Sequence, residues 1–103
     1  MTFDELLHAG HDTPTVALFY GASCAPCERL KPKLKSVCEN NNLRLETFNS
    51  ASELPVLRRL GIRSVPAVVV VQEGLPHIAF SGDLAESEIA KRLKQTGVNV
   101  WTL

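Results

Sequence analysis

Thr15-Val-Ala-Leu-Phe-Tyr-Gly-Ala-Ser-Cys-Ala-Pro-Cys27 is the stretch on which the reading of this chain turns. From Thr15 to Tyr20 it is apolar and rich in strand formers without alternation, which fits a strand covered on both faces, as in parallel or mixed sheets. After Gly21-Ala22-Ser23 the period changes. Cys27, Leu30, Leu34, Val37 and Cys38 recur at three- and four-residue steps among Glu28, Arg29, Lys31, Lys33 and Lys35, and this spacing predicts an amphipathic helix over 25–40. Pro26 stands in its first turn, where a missing N–H costs nothing, while Pro32 is interior and should kink it. Asn40-Asn41-Asn42 stops it. A cysteine pair therefore stands where a buried strand gives way to a helix.

Outward from this junction, Thr2-Phe3-Asp4-Glu5 reads as a capping box opening a short helix over 3–9 that ends at Gly10. Downstream, Leu43 to Phe48 alternates as a strand, and Glu53 to Leu60 reads as a helix preceded by Ser52 and closed by Gly61. Pro66 to Val71 is a second buried strand. The turn Glu73-Gly74 leads into a run from His77 to Phe80, near enough to be its antiparallel partner. Asp83 with Glu86 offers a cap for a last helix carrying Leu84, Ile89 and Leu93 and closed by Gly97. The order α-β-α-β-α-β-β-α describes an α/β fold: a mixed sheet flanked by helices, with no obvious extra strand at the N-terminus. No internal repeat or linker interrupts 1–103, which is expected to form one domain.

With 103 residues, 45% of them hydrophobic and 21% charged, the chain has the composition of a globular domain. A domain of this size buries roughly two-thirds of its extended surface, so its cysteines are not needed as a scaffold. Eleven bases balance eleven acids, which argues against a dedicated nucleic-acid or membrane-surface binder. The balance is uneven: residues 1–28 carry four acids and no Lys or Arg, and residues 29–63 carry eight bases against three acids. The longest apolar run, Pro66 to Val71, is too short to span a bilayer, and no secretory leader is visible, so a reducing cytoplasm is the expected compartment.

Cys24-Ala25-Pro26-Cys27 carries the chemistry. Residues three apart at a helix start are close neighbours, so two sulfurs there can bond with little backbone movement. Cys24 lies within reach of the helix's free N–H groups and positive dipole end, which favour a thiolate. A four-residue loop is worth only ~2 kcal/mol of unfolded-state entropy, against ~5 for a bridge closing about a hundred residues. Such a pair is a poor staple and a good switch. Cys27, on the apolar stripe, reads as the shielded resolving thiol and Cys24 as the exposed nucleophile. The rival reading, half of a zinc site, needs a second pair of ligands, and the sequence offers only Cys38 and three scattered histidines.

The chain resembles a thioredoxin over nearly its whole length. Phe19-Tyr20-Gly21-Ala22-Ser23-Cys24-Ala25-Pro26-Cys27 matches the family's active-site stretch. Pro32 falls at its helix-kinking proline, Gly61-Ile62-Arg63-Ser64-Val65-Pro66 at the loop holding its cis-proline, and Gly74 and Gly82 at its two hairpin glycines. The residues alone would make Pro66 a strand-opening proline after a trans bond. The resemblance implies instead a cis Val65–Pro66 bond beside the disulfide, presenting backbone groups to an extended substrate. It implies a groove for that substrate lined by Ser23, Ala25, Pro26, Val65, Pro66 and Gly82. The implied activity is reduction of protein disulfides by a monomer that binds no cofactor, with reducing equivalents from a flavin- and NADPH-dependent thioredoxin reductase.

The chain departs from the family pattern in four places. Ser23 replaces the tryptophan that usually precedes the first cysteine. Leu18 stands where thioredoxins bury an acid thought to carry protons for the second cysteine, and Thr47 replaces a lysine on the adjacent strand. Glu46 substitutes for that acid only if it faces the motif, and an alternating strand predicts it solvated. Ala25-Pro26 is a close variant of the family's Gly-Pro.

Two other readings stay open on the sequence. One is a glutaredoxin-like, glutathione-dependent reductase, disfavoured by Ala25 in place of a proline directly after the first cysteine. The other is a binding module that keeps the fold as an adaptor. Cys38, four residues past Leu34, reads as a buried inert thiol. His8, His11 and His77 read as surface residues, Arg29, Lys31, Lys33 and Lys35 as a solvated helix face, and Trp101 as packing on the domain.

Overall fold

A computed structural model describes residues 1–10 and 12–100; His11 and Trp101 lie outside the described residues. Its elements are α1 (Phe3–Leu7), β1 (Thr15–Tyr20), α2 (Ala25–Asn40), β2 (Arg44–Asn49), a 3-10 turn (Ser50–Ser52), α3 (Leu54–Leu60), β3 (Ala67–Gln72), β4 (Leu75–Ser81) and α4 (Glu86–Gln95). The sheet order is β2-β1-β3-β4, with β1 and β2 parallel and the β1–β3 and β3–β4 pairs antiparallel. This is the four-stranded mixed sheet of the thioredoxin fold.

Both central strands are buried on both faces, as their unbroken apolar runs require. One face carries Val16, Leu18, Val68 and Val70 against Leu30, Leu34 and Val37 of α2 and Ile89 and Leu93 of α4. On the other, Ala17, Phe19, Phe48 and Val69 meet Phe3 and Leu6 of α1 and Val56 and Leu57 of α3. Phe3, Phe19 and Phe48 form a triangle with ring centroids 5.3 to 5.7 Å apart.

Local chemistry sets the ends of the elements. The capping box of α1 forms: Glu5 N–H donates to Thr2 Oγ1 at 3.1 Å and Thr2 N–H to Glu5 Oε1 at 2.9 Å. Glu73 and Gly74 take φ of 52° and 76°, the left-handed pair that a two-residue hairpin needs. Three sequence expectations change. The cap of α3 is Glu53, not Ser52; its backbone is the cap, while its buried carboxylate accepts the Phe3 N–H at 2.8 Å. That bond occupies one of the free donors at the start of α1, 50 residues away in sequence. Asp83 does not cap α4, whose cap is Ala85 without a side-chain bond. Arg29 and Lys33 do not simply face solvent, because both bind Asp83.

Candidate functional site: a disulfide at the start of a helix

The register places the site. Phe19 pairs with Ala67, and Ala67 with Ser81, so the end of β1, the start of β3 and the end of β4 share one end of the sheet. Ligands of open α/β sheets favour this end of the parallel strands, where side chains and free backbone groups from separate loops converge.

Cys24 is the N-cap of α2. Its Sγ accepts the Cys27 N–H at 3.3 Å and its carbonyl accepts the Glu28 N–H at 3.1 Å. The two cysteines are joined in a disulfide across a Cα–Cα distance of 5.3 Å. Cys24 is half-buried, whereas Cys27, on the apolar side of the helix, is only 4% exposed. The same N–H that contacts Cys24 Sγ in the disulfide is positioned to stabilise a thiolate there after reduction, and the helix dipole adds to the effect.

Three loops gather at this end of the sheet. Gly21 directly follows β1, and a Cβ on it would lie 3.1 Å from Val65 Cγ2 and 3.9 Å from Cys24 Cβ, so Val65 and Cys24 approach the same point. The Val65–Pro66 bond is cis, and Pro66 is buried. Pro66's carbonyl accepts the Gly82 N–H at 2.8 Å, which joins the second loop to the third. Gly82 has φ of 88°, where any side chain would be strained. Ser23 and Ala25 are exposed and Pro26 is half-buried around the cysteines.

Sequence reasoning missed two features of the site. The sequence marks Gly21 only as part of the motif, whereas its lack of a side chain is what lets Val65 come close. Ser23 takes φ of 51°, a left-handed conformation unusual for a residue other than glycine and not foretold by its identity.

The departures from the family pattern can also be placed. Leu18 is fully buried among Leu30 and Leu34, so β1 puts an apolar group where an acid would stand. Glu46 pairs with Ala17 and therefore lies on the α1 and α3 face, opposite that of Leu18; it ion-pairs with Arg44 at 3.5 Å and does not replace the acid. Cys38 is 1% exposed, and burial, with a smaller push from Glu39, raises its thiol to about 12. Among the described residues no group of His, Cys, Asp and Glu is arranged to hold a metal ion, and no helix is long and apolar enough to cross a membrane.

A cysteine pair bonded at a helix N-terminus, beside a cis-proline loop at the end of a four-stranded mixed sheet, defines a thioredoxin-fold protein with a dithiol/disulfide couple. The family model described as Thioredoxin matches residues 1–95, and the chain belongs to that family. It is 24% identical over 95 residues to the chloroplastic thioredoxin Y of Oryza sativa subsp. japonica, covering 90% of this chain and 56% of that protein. The chloroplastic thioredoxin Y1 of Arabidopsis thaliana is 23% identical over 97 residues, covering 92% and 56% respectively. The chain thus spans little more than half the length of the curated relatives it matches. Among solved structures, the Malassezia sympodialis thioredoxin Mala s 13 superposes with a TM-score of 0.73 at 18% identity, covering 90% of this chain and 84% of that one.

Proposed function

We propose that the chain reduces protein disulfides by thiol–disulfide exchange at Cys24 and Cys27. The observation that carries this reading is the Cys27 N–H on Cys24 Sγ, at the start of a helix and beside the loop of the cis Val65–Pro66 bond. In the reduced protein the Cys24 thiolate attacks one sulfur of the substrate disulfide. That S–S bond breaks, a Cys24–substrate disulfide forms, and the departing sulfur takes up a proton. Cys27 then loses its proton and attacks Cys24 Sγ, which closes Cys24–Cys27 and releases the second substrate thiol. Two electrons have passed from the protein to the substrate. No carboxylate from β1 stands ready for the Cys27 proton, since Leu18 occupies that place, so this proton leaves by another route.

Pro66 and Gly82 contribute backbone, and Ser23, Ala25, Pro26 and Val65 contribute surface, to the groove that holds an extended substrate segment. Reducing equivalents come from NADPH through a flavoprotein of the thioredoxin-reductase type, in a cytoplasmic, reducing compartment, with the chain acting as a monomer. The chain itself needs no bound cofactor for these steps.

Reduction of insulin disulfides with dithiothreitol as electron source tests the reading. Wild type is expected to accelerate the reaction, Cys24→Ser to abolish the acceleration, and Cys27→Ser to accumulate a covalent mixed disulfide. Acceleration retained in Cys24→Ser would overturn the mechanism.

A further inference from the structure

Asp83 directly follows Gly82 and receives two cations from α2. Arg29 Nε donates to its Oδ2 at 3.0 Å and Lys33 Nζ to its Oδ1 at 2.6 Å. Arg29 and Lys33 are four residues apart, so they project from the same side of α2 and converge on one carboxylate. Arg29 stands two residues beyond Cys27. The pair therefore ties the helix that begins with the cysteines to the loop that leaves β4, across more than fifty residues of sequence in one case and fifty in the other. Asp83 is well covered, at 20% side-chain exposure, and Lys33 is at 33%, whereas Arg29 at 60% contributes less after solvent screening. Gly82 has no side chain with which to fix itself. Its N–H is bonded to Pro66 on one side, and on the other its only charged neighbour in the chain is Asp83, held to α2.

We infer that Asp83 is a positioning residue of the site. Through Lys33 and Arg29 it holds the Gly82 wall, and with it the Pro66 carbonyl bonded to Gly82, at a fixed place relative to Cys24. The inference rests on the proposed disulfide exchange, for which a backbone groove must be in register with the attacking sulfur before an extended substrate can bind productively. A small disulfide, which needs no groove, makes no such demand.

The test uses the full chain with Asp83→Asn, which keeps the shape and removes the charge, and Asp83→Glu, which keeps the charge. Two readouts are taken: hydrogen exchange at the Gly82 amide, and KM against kcat for insulin reduction. In Asp83→Asn, Gly82 exchange is expected to rise about fivefold while the β1 amides stay unchanged, and KM to rise about fivefold with kcat within about twofold, the scale of one or two partly exposed ion pairs. Asp83→Glu is expected to recover most of both. Lys33→Met, which removes the shorter bond from the opposite side, must move both readouts in the same direction, so a poorly folding Asp83→Asn does not decide the matter. Unchanged Gly82 exchange in these variants, or kcat falling in parallel with β1 protection, would overturn the inference. If wild type reduces no protein disulfide, the proposed function fails separately, and Gly82 exchange alone then decides whether Asp83 holds the wall.

Discussion

Gly21 and Val65 are matched in shape: a single added methyl on Gly21 would stand 3.1 Å from Val65 Cγ2, closer than packed carbons ordinarily come. Gly21→Ala is therefore expected to push the proline loop away from Cys24 and to cost about 1 to 2 kcal/mol of stability, in the range of core overpacking. The double variant Gly21→Ala/Val65→Ala makes room for the methyl and should recover part of that loss. Urea unfolding of the three proteins checks this, and additive losses in the double variant would show that the two residues do not conflict.

Ser23 sits at φ of 51° with its side chain exposed, so its conformation, more than its contacts, decides what it tolerates. Ser23→Gly is expected to leave stability unchanged or raise it by up to about 1 kcal/mol, while the β-branched Ser23→Val lowers it by about 1 kcal/mol or more. Thermal unfolding of the oxidised proteins distinguishes this from a neutral surface position, at which the two variants would behave alike.

What was legible in the sequence is what local pattern dictates. The strand at Thr15–Tyr20, the buried strand read as Pro66 to Val71 and found at Ala67–Gln72, the helix from Ala25 to Asn40 and the hairpin at Glu73-Gly74 all follow from apolar period and turn chemistry. The cysteine pair announces its place because a strand and a helix meet there. The rest depends on partners that no local window contains. Glu53 reads as an ordinary acid near a helix start, yet its carboxylate serves Phe3 in another helix. Asp83 carries a cap-like spacing to Glu86, but its carboxylate is taken up by two cations on α2, Lys33 and Arg29, which no window around Asp83 contains. The cis bond before Pro66 was readable only through family resemblance, because the residues alone favour trans.

Cys38 is the third thiol and should be silent. With burial pushing its thiol up to about 12, a brief iodoacetamide pulse on the native, reduced protein at neutral pH is expected to label Cys24 and leave Cys38 unmodified. Unfolding in guanidinium should then expose it to the reagent. Peptide mass spectrometry reads both, and native-state labelling of Cys38 at a rate comparable to Cys24 would contradict its burial.

Stability should also fall on the acid side for identifiable reasons. Arg59 holds the Asp4 carboxyl below its ordinary value, hydrogen bonds from the Thr2 backbone and side chain do the same for Glu5, and Lys33 and then Arg29 do so for Asp83. Each carboxylate is more acidic folded than unfolded, so its contribution is complete above the ordinary carboxylate range, about pH 4 to 5, and is lost as pH falls through the lowered folded values. Melting temperature measured from pH 7 down to pH 2.5 is expected to drop below that range. Asp83→Asn should drop less steeply than wild type, and an identical slope would remove Asp83 from this account.

The most direct test of the central claim, that the start of α2 makes Cys24 a nucleophilic thiolate, is the pH dependence of its alkylation rate in the reduced protein. The site predicts a midpoint well below the ordinary cysteine value of about 8.5, with Cys24 reacting ahead of Cys27 and Cys38. A midpoint at or above that value would mean that the Cys27 N–H and the helix dipole do not activate Cys24, and the proposed exchange would lose its nucleophile.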